Sequence, residues 1–551
     1  MGFGQGDIDA FVAECGLRLV VDAEKGQRTV AARDFRRGDT LLTIRPLYGF
    51  PVRKGEEEGQ EEPKDAANST QQTVEVELED RCASCFERLP PKRPQCSQCH
   101  ATQYCSTSCL AEHWAARHHF ECKSLGVRAM GNMASRIKPM YRPYLRMAVG
   151  VGKAIAEVAR RIRRAEQLGK PAERSIPRWL RLQAAAWERL VDHCEAHPPH
   201  VLKQYREIAG VVAEAQEAAT EDDSLVFSIA DTADTALANS TVRALCRFGC
   251  NNFVAYDQRM RASGHLCSPL VSLLFNHSCF QNAAFVYTRG GQQVVLALDD
   301  IREGEEVTLS YADGLRPRSE RRKALEAVYF FECQCQRCVG DSPRAQLDAL
   351  LDRASSVNAQ QRGVPHNLPT DFARQPSVEP WVQQIISTLA DVVLGGSSEE
   401  GFAQTCLGLV KAMPPEELSF AAYRHWLVCQ DECLDKLVSG GESAASMWWD
   451  WACVSSLYVL AFYAMVYPPF HPLVGLQCLE SAKLAWNSIQ ASSLLSLSAE
   501  GWRGLLLTEG FVRNLAQAAQ VILELSDDPD SSSASAAEKQ IALLLSQIDG
   551  M

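Results

Sequence analysis

Residues 82–122 constrain the chain most: "CASCFERLPPKRPQCSQCHATQYCSTSCLAEHWAARHHFEC". The spacing is Cys82-x2-Cys85-x10-Cys96-x2-Cys99-x5-Cys105-x3-Cys109-x8-His118-x3-Cys122. Zinc takes four tetrahedral sulfur or imidazole ligands, and a Cys-x2-Cys knuckle delivers two of them from one turn. Eight such ligands make two closed sites. Scattered core cysteines would not fall into four spaced pairs. A segment this small cannot bury an apolar core, so the metal must supply its folding energy.

The rest of the chain is ordinary globular protein. Its 551 residues exceed one core, and at about 150 residues per domain they make three or four. The N-terminus, MGFGQGDIDAF, lacks the basic and apolar regions of a signal peptide. The longest apolar stretch, "LYVLAFYAMVYPPF", stops at Pro468 and Pro469 and reads as a buried helix, too short to span a bilayer. The expected location is therefore the cytoplasm or nucleus. In those reducing compartments, 21 cysteines argue for metal sites and core thiols over disulfides.

A net charge of −12 argues against attraction of the whole protein to nucleic acid. The charge is uneven. Residues 54–80 are acidic and read as a solvated insertion. From Lys123 to Arg164 there are eleven Lys/Arg and one acid, Glu157. That basic face reads first as solvated surface. The weaker reading is a docking site for acidic protein or nucleic acid.

Residues 17–49 alternate like strands broken by turns, and strand-like runs return at 283–311 with a Gly290-Gly291 hairpin signal. Residues 127–240 have helical periodicity, and everything from 342 onward reads as helix. Between these lies "LLFNHSCFQN", residues 273–282, which reads as an apolar strand ending in Asn276, His277, Ser278 and Cys279. A hydrolase triad fails here. There is no Gly-x-Ser-x-Gly elbow, and neighbours His277 and Ser278 would point to opposite strand faces. Downstream stand "GEEVTLSY", ending in Tyr311, and "YFFECQCQRCVG" with Cys333-x-Cys335-x2-Cys338. Three close cysteines are one ligand short of a tetrahedral site, and Cys279 offers the fourth.

The block at 82–122 resembles a MYND zinc finger, including Tyr104 before the third pair and Trp114 before the final His/Cys. The interleaved pairing of that family implies one zinc on Cys82, Cys85, Cys105 and Cys109. It implies another on Cys96, Cys99, His118 and Cys122, with His119 a weaker candidate for His118's place. "NHSC", "GEEVTLSY" and the cysteine triplet resemble the SET domain of protein lysine methyltransferases and its post-SET zinc. A MYND finger within a split SET domain is the arrangement of the SET–MYND (SMYD-type) family. Even "YPPFHPLVGLQCLESAKLAW", 467–486, is similar to its C-terminal domain.

The resemblance implies an α+β multidomain fold. Residues 1–54 would open the SET domain, 55–81 would be a linker and 82–122 the finger. A helical insert would follow at 123–245, the SET core at 246–325, the post-SET loop at 326–341 and an all-α, TPR-like domain at 342–551. S-adenosylmethionine would be held by Lys25, Gly26, Gln27, Asn251, Asn276, His277 and Phe331. Tyr311 would stand at the point of methyl transfer, also against the cofactor, with Tyr329 lining the lysine channel. Three zinc ions are implied, the third on Cys279, Cys333, Cys335 and Cys338.

The expected activity is S-adenosylmethionine-dependent methylation of a protein lysine. The other reading is an adaptor of weak or absent activity. Expected partners are a substrate protein and proline-rich peptides at the finger, with no membrane, and the protein is expected to be a monomer. The sequence departs from the family pattern at three places. Arg28 replaces the second glycine of a Gly-x-Gly loop, Phe280-Gln281 follows NHSC, and Phe275 precedes it.

Overall fold

In a computed structural model the chain forms two compact units. The first comprises residues 1–33, 40–276 and 285–295, and the second 34–39, 277–284 and 296–551. The structure describes residues 5–22, 26–52, 81–100, 102–119, 122, 137–138, 141–171, 175–217, 225, 237–256, 262–288, 291–361, 377–439, 445–494, 508–525 and 536–550. Lys25, Gly290 and the whole acidic insertion, 54–80, lie outside them.

The first unit opens with helix α1 (Gln5–Glu14) and the hairpin β1 (Leu17–Asp22) and β2 (Gly26–Ala31). The hairpin register runs from Leu17↔Ala31 to Asp22↔Gly26. Gly26 enters β2 at φ +71°, a conformation that costs a residue with a Cβ and suits glycine. Strands β3 (Thr40–Ile44) and β4 (Tyr48–Pro51) complete the expected β start. The finger then contributes α2 (Thr107–His113).

Among the described residues four helices follow: α3 (Arg142–Gln167), α4 (Arg178–Arg189), α5 (Pro199–Glu217) and α6 (Leu237–Cys250). They bury Leu145, Ile155, Val158, Trp187, Ile208 and Leu245 in one core with Leu47 and Phe50. Helix α3 lies so close to Tyr48 that a Cβ on Gly150 would fall 2.1 Å from its ring. Strand β4 pairs with β6 (Ala262–Cys267), which pairs in turn with β5 (Asn252–Tyr256), all antiparallel.

Helix α3 alters the reading of the basic stretch. Arg146 and Lys153 are 7% and 4% exposed, and Arg146 sits over the Phe50 ring and donates to Pro51 O. Arg160 and Arg161 both pair with the buried carboxylate of Glu157. Two basic residues of the expected solvated face, Arg146 and Lys153, are therefore internal, while Lys138, Arg160, Arg163 and Arg164 are exposed as expected. Long basic side chains bury their stems while the charge finds a carbonyl, a ring or an acid.

The run before NHSC is also not the expected strand. Pro269–Leu274 form a short helix, α7, with proline in the first turn, and Phe275 turns extended. Proline at that position favours helix entry, and a short apolar run has no period that separates helix from strand. Only Asn276–His277 are strand, β7.

Strands β8 (Ala283–Tyr287) and β9 (Gln293–Ala297) join β3 in a sheet of order β3-β9-β8. Gly291, at φ +70°, takes the turn between β8 and β9 and donates to Thr288 O.

In the second unit, β10 (Thr308–Leu309) precedes helix α8 (Arg318–Tyr329). The remaining α-helices among the described residues are α9 (Pro343–Gln361), α10 (Pro380–Val393), α11 (Glu399–Lys411), α12 (Phe420–Ser439), α13 (Ala445–Val466), α14 (Pro472–Leu494), α15 (Glu509–Glu524) and α16 (Ala536–Asp549). From α12 to α16 each helix packs on the next. The apolar stretch is longer than expected. In α13, Met447–Val466 has the length and composition to cross a membrane, but 94% of its most apolar window is buried among protein helices. It reads as a core helix.

Candidate functional site

The finger folds around its ligands. Cys82 N–H donates to Glu87 O and Cys96 N–H to Thr102 O, closing the two knuckle turns. Ser106 caps α2 by accepting from Cys109 N–H at 3.1 Å. After α2, Trp114–His118 form a π-helical turn, which aims His118 inward.

Two four-ligand groups result, Cys82/Cys85/Cys105/Cys109 and Cys96/Cys99/His118/Cys122, with all ligand atoms of each within 4.8 Å of one another. Sulfurs about 2.3 Å from zinc at tetrahedral angles stand about 3.8 Å apart. The observed pairs are close to that: Cys85–Cys105 at 3.5 Å, Cys105–Cys109 at 3.6 Å and Cys96–Cys122 at 3.5 Å. His118 Nε2 lies 3.6 Å from Cys99 Sγ. His119 instead directs Nδ1 to Trp114 O at 2.8 Å and stays outside the group.

Spacing alone did not mark His113 and Arg117. Arg117 Nε donates to His113 Nε2 at 2.7 Å, and His113 Nδ1 meets Tyr104 OH at 3.0 Å. Burial, with the Arg117 cation beside it, holds the His113 imidazole well below its ordinary pKa, so it stays neutral. Their link to the finger is Tyr104, fully buried and five residues before Cys109, which only the folded chain brings to His113.

The third group is Cys279, Cys333, Cys335 and Cys338, again within 4.8 Å. Cys279 lies 3.9 Å from Cys333 and 3.6 Å from Cys338. Helix α8 ends at Tyr329, and Phe330 takes a left-handed conformation, φ +60°. That turn sends Phe331 and the cysteines back toward Cys279.

Around this group pack Tyr311, Tyr329 and Phe331. The Tyr311 ring stands 4.9 Å from Tyr329 and 5.3 Å from His277, and His277 stands 6.0 Å from Phe331. Burial, with Tyr329 and Glu306 nearby, pushes the Tyr311 hydroxyl above its ordinary pKa, so it keeps its proton at pH 7.

Charged residues missed by the sequence reading complete the third group. Arg321, fully buried, donates Nε to Cys279 Sγ at 3.3 Å and Nη2 to Cys338 Sγ at 3.7 Å. It also pairs with Asp348 at 2.7 Å, as Arg337 does at 2.8 Å. Arg321 shares the buried face of α8 with Leu325, four residues on. A guanidinium has no acceptor, so sulfurs that face it must accept; this suits the thiolates of a metal centre. The donor set and its surroundings fit zinc.

In the first unit the structure brings Gln27 and Asn276 together: Asn276 Nδ2 donates to Gln27 O at 3.0 Å. The Gln27 side chain donates to Leu273 O at 3.0 Å and accepts from Arg189 at 2.6 Å. Thr29 Oγ1 donates to Leu274 O. The loop of β2 is thus stitched to the end of α7. Asn251 is anchored to its own helix end, donating to Arg247 O at 2.8 Å. Arg28 pairs across the hairpin with Asp22 at 3.5 Å.

The MYND finger family matches residues 82–122. Histone-lysine N-methyltransferase ASHR1 of Arabidopsis thaliana is 25% identical over 549 residues, 98% of this chain and 99% of its own length. The chain carries a MYND finger and is similar to lysine methyltransferases that include SET–MYND proteins. Histone-lysine N-methyltransferase SMYD3 of Homo sapiens is 30% identical over 47% of this chain and 51% of its own length. N-lysine methyltransferase SMYD2 of Mus musculus is 23% identical over 61% and 63%. The chain thus spans nearly all of the plant protein and about half to two thirds of the two animal SET–MYND proteins. The mixed helix-and-sheet fold and the cysteine groups agree with that family.

Proposed function

We propose that this chain is a SET–MYND protein and an S-adenosylmethionine-dependent protein-lysine N-methyltransferase. The carrying observation is the half-buried Tyr311, whose protonated hydroxyl stands among Tyr329, Phe331 and His277 beside a four-cysteine group. The names of the relatives point to the same reaction.

S-adenosylmethionine supplies an already activated methyl, so the chain's task is positioning. Tyr311 orients the lysine amine through its hydroxyl. The aromatic surroundings of Tyr311 and Tyr329 favour the neutral, nucleophilic amine over the ammonium. Gly26, Gln27, Asn251 and Asn276 serve the cofactor's amino-acid end, together with Lys25, which lies outside the described residues. Gln27 would do so through its backbone, because both polar atoms of its side chain are engaged. Phe331 offers a face for the adenine.

We assign zinc to all three ligand groups, two in the finger and one on Cys279, Cys333, Cys335 and Cys338. The domain plan is a SET domain split by the finger and a helical insert, followed by a post-SET loop and a TPR-like helical domain. The substrate is a protein lysine, proline-rich peptides dock at the finger, and the protein works as a monomer in the cytoplasm or nucleus.

A second reading, an adaptor of weak activity, draws on Arg28 at the place of a loop glycine. The Arg28–Asp22 pair favours the enzyme, because it gives that side chain a partner within the hairpin. The deciding experiment incubates purified protein and isotope-labelled S-adenosylmethionine with cell lysate, then maps labelled lysines. Label dependent on Tyr311 supports the enzyme. No label, with a full zinc complement, leaves the adaptor.

A further inference from the structure

The hydrogen bonds of His277 leave its ring nothing with which to hold a cofactor. Nδ1 accepts the backbone N–H of Tyr311 at 2.9 Å. A backbone N–H only donates, so Nδ1 is the acceptor nitrogen. In a neutral imidazole the proton then sits on Nε2. Nε2 lies 3.1 Å from Cys279 Sγ and directs that proton at the sulfur.

Cys279 Sγ therefore accepts from two donors, His277 Nε2 and Arg321 Nε. Cys338 Sγ faces Arg321 Nη2, and Cys333 Sγ accepts from Cys335 N–H at 3.5 Å. Four thiolates on one zinc carry a net charge of −2, and each N–H···S bond draws charge from the sulfur. The two guanidiniums of Arg321 and Arg337 and the carboxylate of Asp348 leave a net charge of +1 beside it. Without the metal, four neutral thiols would leave that +1 buried and uncompensated.

We infer that His277 is a positioning residue, a strut that fixes the backbone of Tyr311 to the metal-held Cys279, and that its ring does not touch the cofactor. Arg321 is the second outer partner of the same sulfur. The third metal centre thereby sets where Tyr311 stands. Loss of the strut shows in the rate of methyl transfer and not in cofactor affinity. Only this last consequence rests on the methyltransferase reading. The strut itself does not.

Two variants of the full-length chain separate the halves of the strut. In His277→Asn the amide oxygen replaces Nδ1 and still accepts from Tyr311, but the donor to sulfur is lost. In His277→Gln the amide nitrogen replaces Nε2 and still reaches sulfur, but the hold on Tyr311 is lost. Cadmium-113 replaces zinc in all three groups, and its resonance responds to hydrogen bonds at its sulfurs.

The expected result is that His277→Asn shifts one cadmium resonance and leaves the other two. Arg321→Lys, which keeps the charge and loses the Nε donor, shifts that same resonance. His277→Gln leaves the spectrum close to wild type. With S-adenosylmethionine and a methylated protein from the lysate, His277→Gln lowers kcat by about 10- to 100-fold, the scale for a displaced reacting group. KM for S-adenosylmethionine changes less than about twofold.

A cadmium spectrum unmoved by His277→Asn overturns the strut, as does a different resonance moved by Arg321→Lys. A tenfold rise in KM for S-adenosylmethionine with unchanged kcat in His277→Gln places the ring on the cofactor and overturns it too. If the wild type transfers no methyl at all, the methyltransferase reading fails. The cadmium spectra then still decide the strut.

Discussion

Asp348→Asn perturbs the charge balance beneath the third metal group with almost no change of shape. Asp348 is 2% exposed and accepts three N–H bonds from two buried guanidiniums. Arg321 gives Nη1 at 3.0 Å and Nη2 at 2.7 Å, Arg337 gives Nε at 2.9 Å, and Arg337 Nη2 adds an ion-pair contact at 2.8 Å. The amide keeps one acceptor oxygen but turns an N–H2 toward Arg321, donor against donor. The triad's charge rises from +1 to +2 where no water reaches it.

Removing one partner of a buried ion pair costs about 3–5 kcal/mol. The lower half of that range is expected, because both cations keep other acceptors. Arg321 still reaches Arg316 O at 2.7 Å, and Arg337 still reaches Cys279 O, Gly314 O and Val466 O. Urea unfolding followed by circular dichroism should show about 3 kcal/mol lost, with an unchanged slope. The thermal midpoint should fall by roughly 10 °C at ~2–4 °C per kcal/mol. Adding Arg337→Met restores the triad's +1 and should recover part of the loss. A cost below about 1 kcal/mol, or no recovery in the double variant, would refute the reasoning.

Elemental analysis of protein never exposed to chelator should give three zinc ions per chain; two or fewer would count against the Cys279 group. Tyr311→Phe removes one hydroxyl and keeps the ring, so methyl transfer should fall by ~100-fold or more while cofactor affinity stays within about twofold, measured by kinetics and calorimetry. Arg28→Gly breaks the pair with Asp22 and should leave S-adenosylmethionine affinity unchanged; tighter binding would show that Arg28 crowds the cofactor. Burial, with Arg146 beside it, pushes the His265 imidazole down to about 4, while the unfolded chain titrates near ~6.5. The unfolded state thus binds the extra proton between those values. The contribution of neutral His265 is complete above pH ~6.5 and is lost as pH falls toward 4, at about 1.4 kcal/mol per unit. His265→Gln should flatten stability against pH in that window alone.

What could be read from the sequence, and what could not, divides along physical lines. Metal ligands announce themselves, because zinc demands particular residue types at short spacings from single turns. All twelve fall into three groups of four, and the interleaved pairing that the MYND resemblance implied is the pairing the sulfurs adopt. Strand starts at 17–49 and the long helices were legible from periodicity. The run before NHSC was not, since six residues are too few for a period to distinguish α7 from a strand.

The charges escaped for a different reason. Arg146, Lys153, Arg321 and Arg337 look in the sequence like surface, because a charged residue is rarely buried unless paired. Each is buried here, and the partners are remote in sequence: Pro51 O for Arg146, Asp348 and Val466 O for Arg337. Only the folded chain brings a carbonyl or an acid to the three arginines. Arg321 carries the point furthest. Between Arg318 and Arg322 nothing in "RSERR" singles it out, yet it alone of the three reaches the sulfurs of Cys279 and Cys338. Asp348 balances one of the two guanidiniums there, and thiolate sulfurs on a metal balance the other. Arg321 and the metal therefore favour each other. A chain that lost the cysteines should find Arg321 a liability, and one that lost Arg321 should hold its zinc more weakly.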